Sequence, residues 1–106
     1  MKIVFHAKDL FGRKIVLTLK QYLHIIRREE MKGQEEKIKQ TLKDPDEIRR
    51  SVKDKNVLLF YKYFLNTPVS EKYLVVVVKV LNNKGDIITS YFSDRIKKGE
   101  TVWKRN

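Results

Sequence analysis

The stretch HIIRREEM, residues 24–31, places His24 four residues before Arg28, with Ile25 and Ile26 after the histidine and the carboxylates Glu29 and Glu30 after the arginine. On an α-helix that spacing sets an imidazole and a guanidinium on one face. A neutral imidazole near pH 7 takes or gives a proton, and a guanidinium grips phosphate through two parallel hydrogen bonds. RNA cleavage without a metal needs those elements. A base draws the proton from the 2′-hydroxyl, an acid protonates the leaving 5′-oxygen, and cations stabilise the crowded phosphorane. The same pair also reads as an ordinary helix histidine with a cation one turn away, so partners must come from elsewhere in the chain.

The apolar runs NVLLFYKYFL (56–65), KYLVVVVKVL (72–81) and DIITSYF (86–92) supply them. A strand shows alternate residues on one face. Ile87, Thr89 and Tyr91 therefore share a face, Lys79 shares one with Tyr73, Val75 and Val77, and Tyr61 lies opposite in sense to Lys62. A lysine ending so apolar a strand must reach water or an anion with its amine. If the registers align, Tyr61, Lys79, Thr89 and Tyr91 converge. The catalytic candidates are then His24, Arg28, Lys79, Thr89 and Tyr91, with Tyr61, Lys62 and Arg27 as RNA-binding candidates. Tyrosines on an open sheet face also stack single-stranded bases in proteins that read RNA without cutting it. The plain alternative is a snorkelling Lys79 among half-exposed sheet tyrosines.

Other chemistries are poorly served. There is no cysteine, His6 and His24 stand eighteen residues apart, and no HExxH occurs, so neither a metal nor a cofactor is expected. The four glycines are scattered rather than gathered in a phosphate loop, and no serine has a nucleophile-elbow context. The acids of DPDE (44–47) read as a helix start, with Asp44 as N-cap, Pro45 in the first turn and Glu47 closing a capping box.

The elements that must position these groups follow from periodicity. KIVFHAKD and GRKIVLTL read as two strands around a turn at Gly12. Thr18 caps an amphipathic helix over 19–30, on which Leu19, Tyr22, Leu23 and Ile26 recur, and a second helix covers 34–43. The three apolar runs then form an antiparallel meander, with short turns at NTPVSE and NNKGD. The expectation is one α+β domain over residues 1–106, with N-terminal helices packed on a four- to five-stranded, mainly antiparallel sheet. The basic KRN end is expected to fray.

With 106 residues the chain is long enough for one core. No apolar run is long enough to span a membrane, and the opening MKIVFHAKDL is charged too soon for a signal peptide, so a cytoplasmic setting is expected. Twenty-four Lys and Arg against thirteen Asp and Glu give a formal charge of +11, which favours a polyanion and nucleic acid first.

The ordered segments LTLKQYLHIIRREEM, IKQTLKDPDEI, YLVVVVKVLNNKGDIITSYF and KKGETVW, within about residues 15–103, resemble the phage-type branch of the barnase–EndoU–colicin–RelE-like nuclease superfamily. The resemblance implies helices followed by an antiparallel sheet that carries a metal-independent ribonuclease face. His24 and Arg28 match its helix histidine and the arginine one turn on; Lys79, Thr89 and Tyr91 match its strand positions. Glu29 and Glu30 stand where relatives often carry a second histidine and a proline, so a two-histidine mechanism does not transfer.

The resulting expectation is a toxin-like or phage-type endoribonuclease that acts on single-stranded or structured RNA. An antitoxin or immunity protein is its protein partner, and no membrane is involved. The rivals are a non-catalytic RNA-binding module and a basic protein that docks an acidic partner. In either RNA reading, the logarithm of affinity should fall linearly with the logarithm of salt, at about −0.7 per phosphate neutralised on a single strand. A salt titration by filter binding or anisotropy checks this; a flat response would contradict it.

Overall fold

The computed structural model describes residues 1–106 as one seven-stranded sheet with two short helices. A hairpin of β1 (Ile3–Lys8) and β2 (Lys14–Thr18) leads into α1 (Leu19–Ile25), a 3₁₀ turn at Glu29–Met31, and α2 (Glu35–Lys43). β3 (Glu47–Arg50), β4 (Val57–Tyr63), β5 (Tyr73–Leu81), β6 (Lys84–Ser93) and β7 (Glu100–Lys104) complete the chain. Across the sheet the order is β1-β2-β6-β5-β4-β3-β7, with every pair antiparallel except β2 and β6. The β4–β5–β6 meander lies where its β-branched and aromatic runs predict it.

This architecture corrects the expected helices on four to five mainly antiparallel strands, for three physical reasons. The first concerns the helix expected over 19–30, which stops at Ile25. Ile25 and Met31 are both buried, yet six residues at roughly 100° each would set them about 120° apart around a straight helix. The chain leaves the helix at Ile26 and Arg28 turns extended, which lets Met31 point inward. Thr18 does cap α1, accepting the Gln21 N–H at 3.2 Å, but the buried side runs through Ile25, while Leu19 and Leu23 face solvent.

The second correction falls on DPDE. Asp44 ends α2 rather than starting a helix, and Glu47–Arg50 forms a strand between β4 and β7. Asp44 receives Arg105 and Lys62, and these hydrogen bonds hold its carboxyl below the ordinary aspartate range. Asp46 accepts the Tyr63 N–H at 2.7 Å, so the segment is fixed by sheet contacts, not by a capping box. The third concerns the chain end. β7 adds to β3, and the Arg105 N–H donates to the Asp46 carbonyl at 2.9 Å, so the KRN segment is anchored through Arg105.

One face of the sheet presents Leu58, Phe60, Leu74, Val76 and Val78, which meet Ile25, Met31, Ile38 and Leu42 in the core. The seam of β2 and β6 is tight. A Cβ added at Gly85 would lie 2.7 Å from Val78 Cγ1 and 2.8 Å from Ile15 Cδ1. Gly85→Ala should therefore lower stability by about 1–3 kcal/mol through overpacking. Urea unfolding checks this as a shifted midpoint at unchanged slope. An unchanged midpoint would mean that the seam yields freely.

Candidate functional site

The other face of the sheet has no helix on it. Strand pairing aligns Glu47, Tyr61, Val75 and Tyr91 as one row across β3, β4, β5 and β6. Arg49, Leu59, Val77 and Thr89 form the next row. The sequence expectation that Tyr61, Thr89 and Tyr91 share a face is met, but Ile87 does not join them. The register shifts between Val77 and Val78, which leaves Ile88 as an extra residue on β6. Ile87 therefore faces the core opposite Val78, while Thr89 and Tyr91 face the open side. A bulge of this kind re-aims the side chains that follow it.

Tyr61 and Val75 are completely buried although no helix covers them. The segment after β6 does so in part: the Lys97 N–H donates to the Tyr61 hydroxyl at 3.2 Å, and Arg49 Nη1 donates to the Gly99 carbonyl at 3.1 Å. Burial raises the Tyr61 phenol above its ordinary pKa, against the Lys97 amide, whose hydrogen bond lowers it; Tyr91 and Glu47 add smaller raising effects and Arg49 a small lowering one. Glu47, buried on the same row, is ion-paired with Arg49.

Cations gather at Tyr91. The Arg28 guanidinium stands 5.5 Å from its ring centroid and the Lys97 ammonium 5.2 Å. Arg28 reaches this position because β2 pairs with β6 only as far as Asp86, so the later part of β6 has no strand on that side. Since α1 has already ended, the helical i, i+4 relation between His24 and Arg28 is lost. His24 is exposed and instead shares an open depression of about 560 Å³ with Lys20, Gln21, Leu23, Arg27 and Ile88. Ile88 links that depression to Thr89 and Tyr91. The Thr89 hydroxyl is buried and has no hydrogen-bond partner.

Two candidates lie away from this group. Lys79 sits four residues along β5 from Val75, about 13 Å at strand rise, and is paired with Asp54. Its hydrogen bond, more than the Asn56 amide, holds the Asp54 carboxyl below the ordinary range. Lys62 points to the helix-covered side, where its amine donates to the Asp44 carbonyl at 2.9 Å. The structure thus brings together Arg28, Thr89 and Tyr91 over a buried Tyr61, which, having no exposed surface, cannot bind RNA as expected; it sets His24 and Arg27 at their margin and separates Lys62 and Lys79.

Sequence reading missed Glu47, Arg49 and Lys97. The i, i+2 spacing of Glu47 and Arg49 around buried Ile48 is a strand signal, but the preceding Asp-Pro outweighs it as a helix start. Lys97 belongs to a loop and carries no periodic signal. No three His, Cys, Asp or Glu side chains cluster in a way that could hold a metal ion. No family model, curated protein or solved structure matches the chain.

The hydrogen bond to Tyr61 makes the segment over the open face testable. Tyr61→Phe should cost roughly 1 kcal/mol. The Lys97 amide should also exchange faster with solvent deuterium, while core amides of β5 slow or speed only with global stability. Unchanged Lys97 exchange would show that other contacts hold this segment.

Proposed function

We propose that the protein is an endoribonuclease that cleaves RNA by attack of the 2′-hydroxyl on the adjacent phosphate. The observation that carries this reading is the cationic ring around Tyr91. Arg28 and Lys97 flank its ring, and Arg49, held by Glu47, stands one row away across the sheet. Arg28 and Lys97, two cations without a carboxylate partner on one helix-free face, suit the extra charge of a phosphorane, which is where electrostatic stabilisation contributes most. In this reading the scissile phosphate lies between Arg28 and Lys97. His24 takes the 2′-proton from the margin of the face, and the Tyr91 phenol donates to the leaving 5′-oxygen. Thr89, whose hydroxyl is buried, belongs to the floor beside Tyr91, Arg27 meets a neighbouring phosphate, and the Glu47–Arg49 pair holds the segment that carries Lys97 through the Gly99 carbonyl. Lys79 and Lys62, already committed to Asp54 and Asp44, take no part.

The chain has no helix long and apolar enough to cross a membrane. The substrate would be cytoplasmic RNA, and an antitoxin or immunity protein is the partner that would hold such an activity in check. A second reading is favoured by one specific observation: no side-chain hydrogen bond orients the exposed His24 ring, whereas Tyr91 with its two cations is already a platform for a stacked base. That is a binding module which does not cleave.

Labelled single-stranded RNA incubated with the protein in EDTA decides between them. Cleavage should persist and leave 2′,3′-cyclic phosphate or its 3′-phosphate product, while DNA stays whole for want of the 2′-hydroxyl. His24→Ala should lower the rate about 10²–10⁴-fold with RNA affinity changed only a few-fold. Arg28→Ala should weaken binding and rate together, since a phosphate contact acts in ground and transition states alike. RNA that is bound yet left intact from about pH 5 to 9 would identify the protein as a binding module instead.

A further inference from the structure

At the far end of the sheet, on the core side, lies a cavity of about 220 Å³. Its polar lining is Arg13, Arg50, Lys55, Asn56 and Asn82, and no carboxylate lines it. Topology assembles these residues from distant parts of the chain. The parallel pairing of Lys14 with Lys84 brings Arg13 up to the β5–β6 turn, where Asn82 takes a left-handed backbone with φ of 60°. Arg50 comes from the end of β3, opposite Leu58, and Lys55 and Asn56 from the loop that enters β4.

The donors are held in place but not used up. Asp9 accepts the backbone N–H groups of Phe11 and Arg13 at 3.0 and 2.8 Å, and fixes Arg13 Nε at 2.7 Å. The Nη2 atom of the same guanidinium is buried with no partner. Buried donors are almost always satisfied in folded proteins, and no protein atom accepts from this one, so it is available to a ligand oxygen in the cavity. Arg50 is held likewise, with Nε on Glu100 at 2.8 Å and Nη1 on the Lys55 carbonyl at 2.7 Å. Lys55 makes no ion pair. The remaining N–H groups of the two immobilised guanidinium groups, the Lys55 ammonium as the cation there without a counter-ion, and two side-chain amides suit a tetrahedral anion with several acceptor oxygens. Leu58, Val80 and Val102 form an apolar side that a small carbon group could cover. The space takes one phosphoryl group and part of its ester, not a run of phosphodiesters.

We propose that this cavity binds a phosphate dianion, either inorganic phosphate or a small phosphate monoester. The site is independent of the face around Tyr91, which lies on the other side of the sheet. The test is to titrate the full chain, at fixed ionic strength, with inorganic phosphate, ribose 5-phosphate and adenosine while following backbone amides by NMR. Phosphate and ribose 5-phosphate should shift the Asn56, Asn82 and Val102 amides saturably, and adenosine should not. Tighter binding of ribose 5-phosphate assigns the ester; equal affinity assigns inorganic phosphate. Lys55→Gln should weaken binding about tenfold, the scale of one charged contact. Lys43→Glu removes more charge from the exposed end of α2 and should leave binding unchanged. Equal weakening by Lys43→Glu, shifts confined to residues around Tyr91, or no saturation at millimolar phosphate would each overturn the proposal.

Discussion

Leu74, Val75, Val76 and Val78 of β5 have no exposed surface, and they do not all point the same way. Three face the helices; Val75 faces the opposite side. A central strand of this kind must be covered on both faces, but the chain has only two short helices and spends both on one of them. The second cover comes from side chains of the sheet itself, Tyr61 above all, and from the segment that follows β6. The helix-free face is therefore partly closed. Its floor, Tyr61 and Val75, is dry, while the cations Arg28 and Lys97 stand above it in contact with solvent.

The parts of the fold legible in sequence are those whose signal is local. The β4–β5–β6 meander follows from continuous β-branched and aromatic runs with turn residues between them, and alternation sets Thr89 with Tyr91, but that Tyr61 joins them depends on register, which only the pairing of β4, β5 and β6 supplies. What was not legible depends on contacts distant in sequence. EIRR and ETVWK are too polar and too short to read as strands until they are seen to pair with each other. The bulge at Ile88 has no glycine or proline to announce it; it exists because Ile87 fills the core opposite Val78 while Tyr91 remains on the other side. Glu47 reads as part of a capping box because an Asp-Pro pair is a helix-start signal, and only the alternative partners Arg105 and Lys62 reveal what Asp44 is for.

The surplus of positive charge is not spread evenly in its availability. Lys62, Lys79 and Arg105 are neutralised by aspartates and act as ties within the fold. Arg28 and Lys97 face an aromatic ring and no carboxylate, and Lys55 faces a cavity without one. A count of basic residues predicts a polyanion partner but not its location. The location depends on which cations are left without an internal counter-ion, because a cation already paired has less attraction to offer an external phosphate and must first be released.

β7 is the last strand of the sequence and also an outer strand of the sheet, and its only partner is β3. The contacts of Arg49 with Gly99 and of Arg50 with Glu100 each span fifty residues. Closing so long a loop carries an entropic cost that nearby contacts do not. The contact of Arg49 with Gly99 and that of Tyr61 with Lys97 therefore cost more to close than the β3–β4 pairing and the Glu47–Arg49 ion pair. Synthesis itself imposes an order on the molecule: β3 and β4, with Glu47 and Arg49 on the first of them, are made before the Lys97 segment that closes over Tyr61.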